Sequence, residues 1–273
     1  MKLDELVRLS LEEDIGHGDL TTEATVPADA VGRARIHAKE SLVVSGQAVA
    51  AEVFRQVGCT YTALVPDGGA AGEAGPEPVA SIEGPARGLL TGERVALNFL
   101  MRLSGIATHV RKVVAQAPGI RLVDTRKTTP LHRQLEKQAV RHGGAGNHRF
   151  GLFDGILIKD NHIVAAGGIR QAVERARAGA HPLLRVEVEV ENLSELGQAL
   201  DAGADDILLD NMGDAMLADA VRISAGRARL EVSGGITPAR LPVLRALGVH
   251  RVSMGGLIHQ ARWVDLSMRI LPA

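Results

Sequence analysis

Arg185-Val186-Glu187-Val188-Glu189-Val190-Glu191-Asn192, then Asp206-Ile207-Leu208-Leu209-Asp210-Asn211, then Ala228-Arg229-Leu230-Glu231-Val232-Ser233-Gly234-Gly235: these three runs decide the fold. Each is short, rich in apolar and β-branched residues and closed by Asn or Gly, while Leu193 to Ala202 and Met216 to Ala225 between them carry apolar residues at helical spacing. The pattern extends both ways. Strand-like runs begin near residues 121, 155, 185, 206, 228 and 251, at separations of 34, 30, 21, 22 and 23 residues, and Ile169 to Ala178 and Ala239 to Leu247 supply two more helices. Intervals this short hold one helix each, so repeated βα units and a parallel sheet are expected. The glycines at 143, 144 and 146 follow a helix, whereas a dinucleotide-binding turn must follow a strand. The expected class is therefore α/β with a (β/α) barrel, incomplete because six strands are legible and not eight.

Outward from this repeat the organisation changes. Leu3, Leu6, Val7 and Leu11 recur at helical spacing before a glycine-broken loop, Ile15-Gly16-His17-Gly18-Asp19. From Gly32 to about Ile82, brief apolar stretches (Ser41 to Ser45, Thr60 to Leu64, Val79 to Ile82) alternate with Gly/Pro turns around a helix from Gln47 to Gln56. This predicts a small antiparallel sheet with a helix. Leu89 to Leu103 reads as an apolar helix with Arg94 and Asn98 one turn apart, and a boundary is expected at Ser104-Gly105, dividing the chain into 1–104 and 105–273.

Composition closes off several classes. With 45% hydrophobic and 23% charged residues and a net charge of −1, the 273-residue chain buries a core and attracts no polyanion by bulk charge. Four Phe, one Tyr and one Trp leave little to stack on nucleic-acid bases. Cys59 is the single cysteine, which excludes an internal disulfide and suits a reducing cytoplasm. No segment reaches the roughly 18 apolar residues of a membrane span.

In βα barrels chemistry gathers at the C-terminal strand ends. The first two runs end in Thr125-Arg126-Lys127 and Lys159-Asp160-Asn161-His162, the third contains Glu187, Glu189 and Glu191, and the last three end in Asp210-Asn211, Ser233-Gly234-Gly235 and Gly255-Gly256. Taken singly, each has an ordinary reading: a solvated charge, a helix cap, a tight turn. Together they sort into cations, then acids, then glycines, as suits a ligand with anionic ends and a cationic or metal-chelated centre. The glycine ends offer bare N–H groups where barrels commonly hold phosphate. A second anion site is expected at Arg126 to Pro130, with Thr129 capping and Pro130 opening a helix from Leu131 to His142. Glu189 and Asp210 suit a hard cation such as Mg²⁺; ten histidines without HExxH or a cysteine partner argue against zinc.

These strings resemble the quinolinate phosphoribosyltransferase family. The resemblance rests on Asp124-Thr125-Arg126-Lys127-Thr128-Thr129-Pro130, Leu135-Glu136-Lys137, Asn147-His148-Arg149, Leu157-Ile158-Lys159-Asp160-Asn161-His162, Glu187-Val188-Glu189, Leu208-Leu209-Asp210-Asn211, Ser233-Gly234-Gly235-Ile236 and Gly255-Gly256. Upstream matches run through Glu13 to Thr22 and Glu93-Arg94 to Thr108, so it covers nearly the whole chain. Two departures stand out: Leu131 where the family usually has glycine after Pro130, and Gly256-Leu257-Ile258-His259 where it usually has Ala-Leu-Thr-His.

The resemblance implies an N-terminal α/β sandwich, an incomplete barrel whose last residues return to the first domain, and a cytoplasmic homodimer with shared active sites. It implies phosphoribosyl transfer from phosphoribosyl pyrophosphate to quinolinate, with decarboxylation to nicotinate mononucleotide. By residue match, Arg94 would reach the partner's site, with Thr125, Arg126, His148, Arg149 and Lys159 around the dicarboxylate. Lys127, Glu189 and Asp210 would be catalytic, the two acids also meeting ribose and Mg²⁺; Ser233, Gly234, Gly235, Gly255 and Gly256 would hold the 5′-phosphate. No nucleic acid or membrane partner is implied. His148 and Arg149 lie ahead of a strand, so a short extra strand within Gly146 to Leu152 is needed to bring them to the correct barrel end. Other readings of the residues stay open: a relative of the molybdenum-transport-associated type with another acceptor, a Schiff-base aldolase using Lys127 or Lys159, and a non-catalytic phosphometabolite-binding protein.

Overall fold

The computed structural model describes residues 2–272. Its first half runs α1 (Leu3–Ile15), α2 (Leu20–Thr25), β1 (Val31–Ala38), β2 (Leu42–Val43), α3 (Gln47–Gln56), β3 (Thr60–Ala63), β4 (Ala70–Ala71), β5 (Glu77–Pro85) and α4 (Ala86–Gln116). There follow β6 (Leu122–Val123), α5 (Arg133–Gly143), β7 (Ile156–Ile158), α6 (Asp160–Ala166), α7 (Ile169–Gly179), β8 (Val186–Val190), α8 (Leu193–Asp201), β9 (Asp206–Asp210), α9 (Asp214–Ser224), β10 (Arg229–Ser233), β11 (Arg251–Ser253) and β12 (Leu266–Ile270). These form two compact units, neither continuous in sequence. One holds residues up to Arg111, Thr128–Gly144 and residues from Leu257; the other holds Lys112–Lys127 and Ala145–Gly256.

The first unit is built on an antiparallel sheet in the order β12-β1-β5-β3, with a separate β2-β4 ladder. β1 alternates buried Ala34, Ile36 and Ala38 with outward Arg33 and Arg35, the period-two pattern of a half-buried strand. The C-terminal β12 lies against it, Ala34 opposite Ile270. α4 runs through the expected break at Ser104-Gly105. Gly105 reads as a helix breaker, but the carbonyl of Arg262 occupies the place its Cβ would need, so glycine permits close backbone approach within a continuous helix. The apolar face of that helix goes on through Ile106, Ala107, Val110 and Val113, all buried.

The second unit is a six-stranded parallel sheet, β6-β11-β10-β9-β8-β7. The expected extra strand is present as one residue: Gly146 makes a parallel bridge to Val123, its N–H donating to the Leu122 carbonyl at 2.8 Å. On β8, Val186, Val188 and Val190 are buried and Glu187 and Glu189 alternate with them, which places the two acids on the opposite face. α5 begins later than expected. His132 precedes its first residue, and Leu131 sits at φ 68°, outside any helix, so Thr129 and Pro130 do not open it. The Thr129 N–H and hydroxyl instead donate to the buried Glu136 carboxylate, at 2.9 and 3.0 Å, and Arg102 closes on that carboxylate at 2.9 Å.

Candidate active site

The second unit's sheet carries two levels of charge. The lower lies toward the strand N-termini: Glu187 of β8 pairs in register with Asp206 of β9, and Glu231 of β10 with Arg251 of β11. Arg251 donates to Glu187 at 2.7 Å, also to Glu231, and meets Asp206 at 3.2 Å. Arg185 and Arg229 cover Asp206 from the rim, at 2.6 and 2.9 Å. The His148 ring enters from the other side, its Nε2 3.1 Å from Glu187 and 3.5 Å from Glu231. Burial disfavours the imidazolium, but hydrogen bonds to Glu187 and Glu231 outweigh it and push the group up to about 9. Burial likewise raises the Glu231 carboxyl, and His148 and Arg251 more than reverse this, holding it below the ordinary carboxylate range.

Ligand atoms of His148, Glu187 and Glu231 lie within 4.8 Å of one another, a spacing a metal ion could use. The donor set does not fit one, because the Arg251 guanidinium already neutralises both carboxylates. Sequence reasoning named His148 as part of a substrate cradle; the structure couples it to this lower level. Buried Asp124 places it there, accepting from the His148 N–H at 2.9 Å and from Asn147 Nδ2 at 2.7 Å.

The upper level lies at the strand C-termini. Lys159, one residue past β7, forms an ion pair with Glu189. Asp210 ends β9 directly opposite Ser233 on β10 and accepts from the Asn211 side chain at 2.6 Å. Gly234 and Gly235 follow at φ 86° and 57°, turning the chain where only glycine is at ease. No obstruction within 4 Å faces Gly235, and Gly255-Gly256 follow β11. On the β6 side, the Thr125 hydroxyl accepts the Lys127 N–H at 3.1 Å, Lys127 itself being exposed. Burial lowers the Arg149 pKa and the charge of nearby Arg126 lowers it further, two guanidiniums that an anion would relieve.

Glu189 and Asp210 each spend one oxygen, Oε2 and Oδ2, on these partners. Two hard carboxylates on adjacent strand ends, with substrate oxygens completing the shell, fit Mg²⁺. Arg94 belongs to the first unit, where it is exposed on α4 and makes no ion pair among the described residues.

Comparison with known proteins accounts for both units. Models of the quinolinate phosphoribosyl transferase N-terminal and C-terminal domains match residues 19–104 and 106–269. The chain belongs to the quinolinate phosphoribosyl transferase family. It is 40% identical over 274 residues to the probable nicotinate-nucleotide pyrophosphorylase [carboxylating] of Bacillus subtilis (strain 168), covering 99% of this chain and 94% of that one. To the Homo sapiens nicotinate-nucleotide pyrophosphorylase [carboxylating] it is 39% identical, covering 92% and 86%. The solved nicotinate-nucleotide pyrophosphorylase from Francisella tularensis superposes with a TM-score of 0.91 at 40% identity, over 98% of this chain and 96% of that one.

The residues that sequence reading placed at the strand ends of the repeat lie at one end of one sheet. Sequence reading missed Glu231 and Arg251, and it gave Asp124 and Asn211 no positioning role. A signal existed for one of them: Glu231, like Glu187, is a charge inside an otherwise apolar strand, which calls for a buried partner.

Proposed function

We infer that this chain transfers the phosphoribosyl group of phosphoribosyl pyrophosphate to the ring nitrogen of quinolinate, releasing pyrophosphate and CO₂ and forming nicotinate mononucleotide in NAD biosynthesis. The observation that carries the reading is the end-to-end family match, joined to a strand-end constellation of cations, two carboxylates and a glycine turn on one sheet. Arg126, Arg149 and Lys159 take the dicarboxylate, with His148 adding positive charge beneath them. Thr125 shapes the loop that presents Arg126 and Lys127. Ser233, Gly234, Gly235, Gly255 and Gly256 take the 5′-phosphate through backbone N–H groups.

As the C1′–pyrophosphate bond breaks, positive charge develops on the sugar, and Glu189 and Asp210 stabilise it while holding the ribose hydroxyls. Lys127 lies between the substrates and receives departing negative charge. Glu189 and Asp210 are also the residues that would hold Mg²⁺, which would neutralise pyrophosphate charge. Bond formation makes the ring nitrogen positive. The neighbouring carboxylate then leaves as CO₂, and the electron pair left on the ring carbon, stabilised by the adjacent cation, takes up a proton.

A homodimer in which Arg94 serves the partner's site, and a cytoplasmic location, belong to the same proposal; Arg94, exposed and without an ion pair among the described residues, supports the first and the lone Cys59 the second. A Schiff-base lysine is disfavoured, since Lys159 is ion-paired to Glu189 and Lys127 is exposed, and neither sits in the desolvated apolar pocket that activates a nucleophilic amine. The test is formation of nicotinate mononucleotide from quinolinate and phosphoribosyl pyrophosphate, with and without Mg²⁺, and with nicotinate replacing quinolinate. Turnover with nicotinate but not quinolinate would transfer the assignment to another acceptor.

A further inference from the structure

Asn211 is one of three non-glycine residues with positive φ among the described residues, at 55°. That region is uncommon for L-residues, and Asn tolerates it better than most. Here the conformation lies immediately after Asp210. It turns the Asn211 side chain back, so that Nδ2 donates to Asp210 Oδ2 at 2.6 Å, while its N–H donates to the Ser233 carbonyl at 3.1 Å. The same side chain fills the space on the inner side of Gly234: a Cβ there would collide with Asn211 Oδ1 and Cγ. One residue thus touches the acid that ends β9 and the glycine turn that ends β10.

The geometry points to Asn211 as a positioning residue that fixes the orientation of Asp210 and couples it to the Ser233-Gly234-Gly235 turn. Its amide occupies Oδ2, which leaves Oδ1 as the oxygen turned to ligand. A carboxylate otherwise free to rotate is held in one rotamer without losing its charge, and glycine at 234 suits both its positive φ and the space that Asn211 fills. The inference rests on the functional reading above, because it concerns how this chain receives phosphoribosyl pyrophosphate with its cation.

Three substitutions separate backbone from amide. Asn211→Gly keeps positive φ easy and removes the donor; Asn211→Asp keeps size and turn tolerance but sets a second carboxylate against Asp210; Asn211→Ala removes the donor and strains the backbone. The measurements are calorimetric titration of phosphoribosyl pyrophosphate in the presence of Mg²⁺, the KM for quinolinate, and the melting temperature of each full-length protein. Asn211→Gly is expected to melt like the wild type and keep its quinolinate KM, while binding Mg²⁺-phosphoribosyl pyrophosphate roughly 10- to 100-fold more weakly, the usual loss when an outer partner of a metal-binding carboxylate is removed. Asn211→Asp should bind more weakly still. Wild-type binding by Asn211→Gly or Asn211→Asp, or an equal loss of quinolinate affinity, overturns the inference. A wild-type protein that makes no nicotinate mononucleotide overturns the functional reading itself, so the two failures are told apart.

Discussion

Replacing Glu231 with Gln removes one charge from the lower level and leaves its shape. The carboxylate is 1% exposed and stands between the Arg251 guanidinium and the His148 ring. With the imidazole pushed up to about 9, against about 6.5 in an unfolded chain, its proton stabilises the fold by about 3 kcal/mol. One feature opposes this. Nδ1 accepts the Arg149 N–H at 2.8 Å, and an imidazolium sets a proton against that donor, returning about 1 kcal/mol. Two carboxylates outweigh one peptide dipole, and about 2 kcal/mol remains.

The sign follows from the raised folded-state value: the contribution is complete below pH about 6.5 and is lost as pH rises through 9. Arg251 stays charged throughout and keeps Glu187 and Asp206, so its share of the Glu231→Gln penalty does not vary with pH. The wild-type advantage over Glu231→Gln should therefore be largest near pH 6.5 and shrink by on the order of 1 kcal/mol by pH 10, since one of two carboxylates on His148 is lost. Urea unfolding of both proteins across this range measures the difference, and the imidazole proton resonances report the titration of His148 directly. An imidazole in the wild type titrating at or below the ordinary histidine value, or a stability gap flat with pH, refutes the reasoning.

Leu131 is 69% exposed at φ 68°, so Leu131→Gly relieves left-handed strain at little packing cost and should raise stability by roughly 0.5–1 kcal/mol, read as a higher melting temperature. Glu189→Gln and Asp210→Asn should each lower turnover by roughly 10²-fold with unchanged circular dichroism, since each removes a charge interaction of about 2–5 kcal/mol; near-native rates in either would remove that residue from the site. Mixing inactive Arg94→Ala and Lys159→Ala subunits under exchange should restore up to about one quarter of wild-type activity, because a heterodimer of a shared-site enzyme carries both lesions in one site and none in the other. A mixture that exchanges subunits and stays inactive would place Arg94 in its own chain's site or in none.

The βα repeat was legible because each strand is a short run ended by Asn or Gly and each interval fits one helix; the observed β8, β9 and β10 begin within one residue of where the pattern places them. β12 beside β1 was not, since the pairing joins residues more than two hundred apart and nothing local marks it. Gly105 hid the continuation of α4 past Leu103 for a physical reason: a glycine that admits a neighbouring backbone looks in sequence like one that ends a helix. The start of α5 failed similarly. Thr129-Pro130 is a sound local opening, but Glu136 binds the Thr129 N–H and hydroxyl from seven residues on and holds the segment outside the helix.

Glu187 and Glu189 show how far residue type alone can carry a site assignment. They are the same side chain two residues apart on one strand face, and sequence reading grouped them. Glu187 has Arg251 on one oxygen and His148 on the other, a closed arrangement that costs desolvation and leaves no valence for ligand. Glu189, one full pleat repeat nearer the strand end, has Lys159 as its one ion-pair partner among the described residues, and that side chain is 41% exposed, so either partner can exchange its contact for a substrate group. Replacing the lower level with apolar side chains of equal volume would cost little stability and could add some. What it would lose is the anchoring of His148 between two carboxylates, directly ahead of Arg149 in the chain, and with it the positive charge that the proposed function places beneath the dicarboxylate. Under the proposed function the lower acids serve the chemistry by being ion-paired within the sheet, and the upper acids by each having one partner among the described residues.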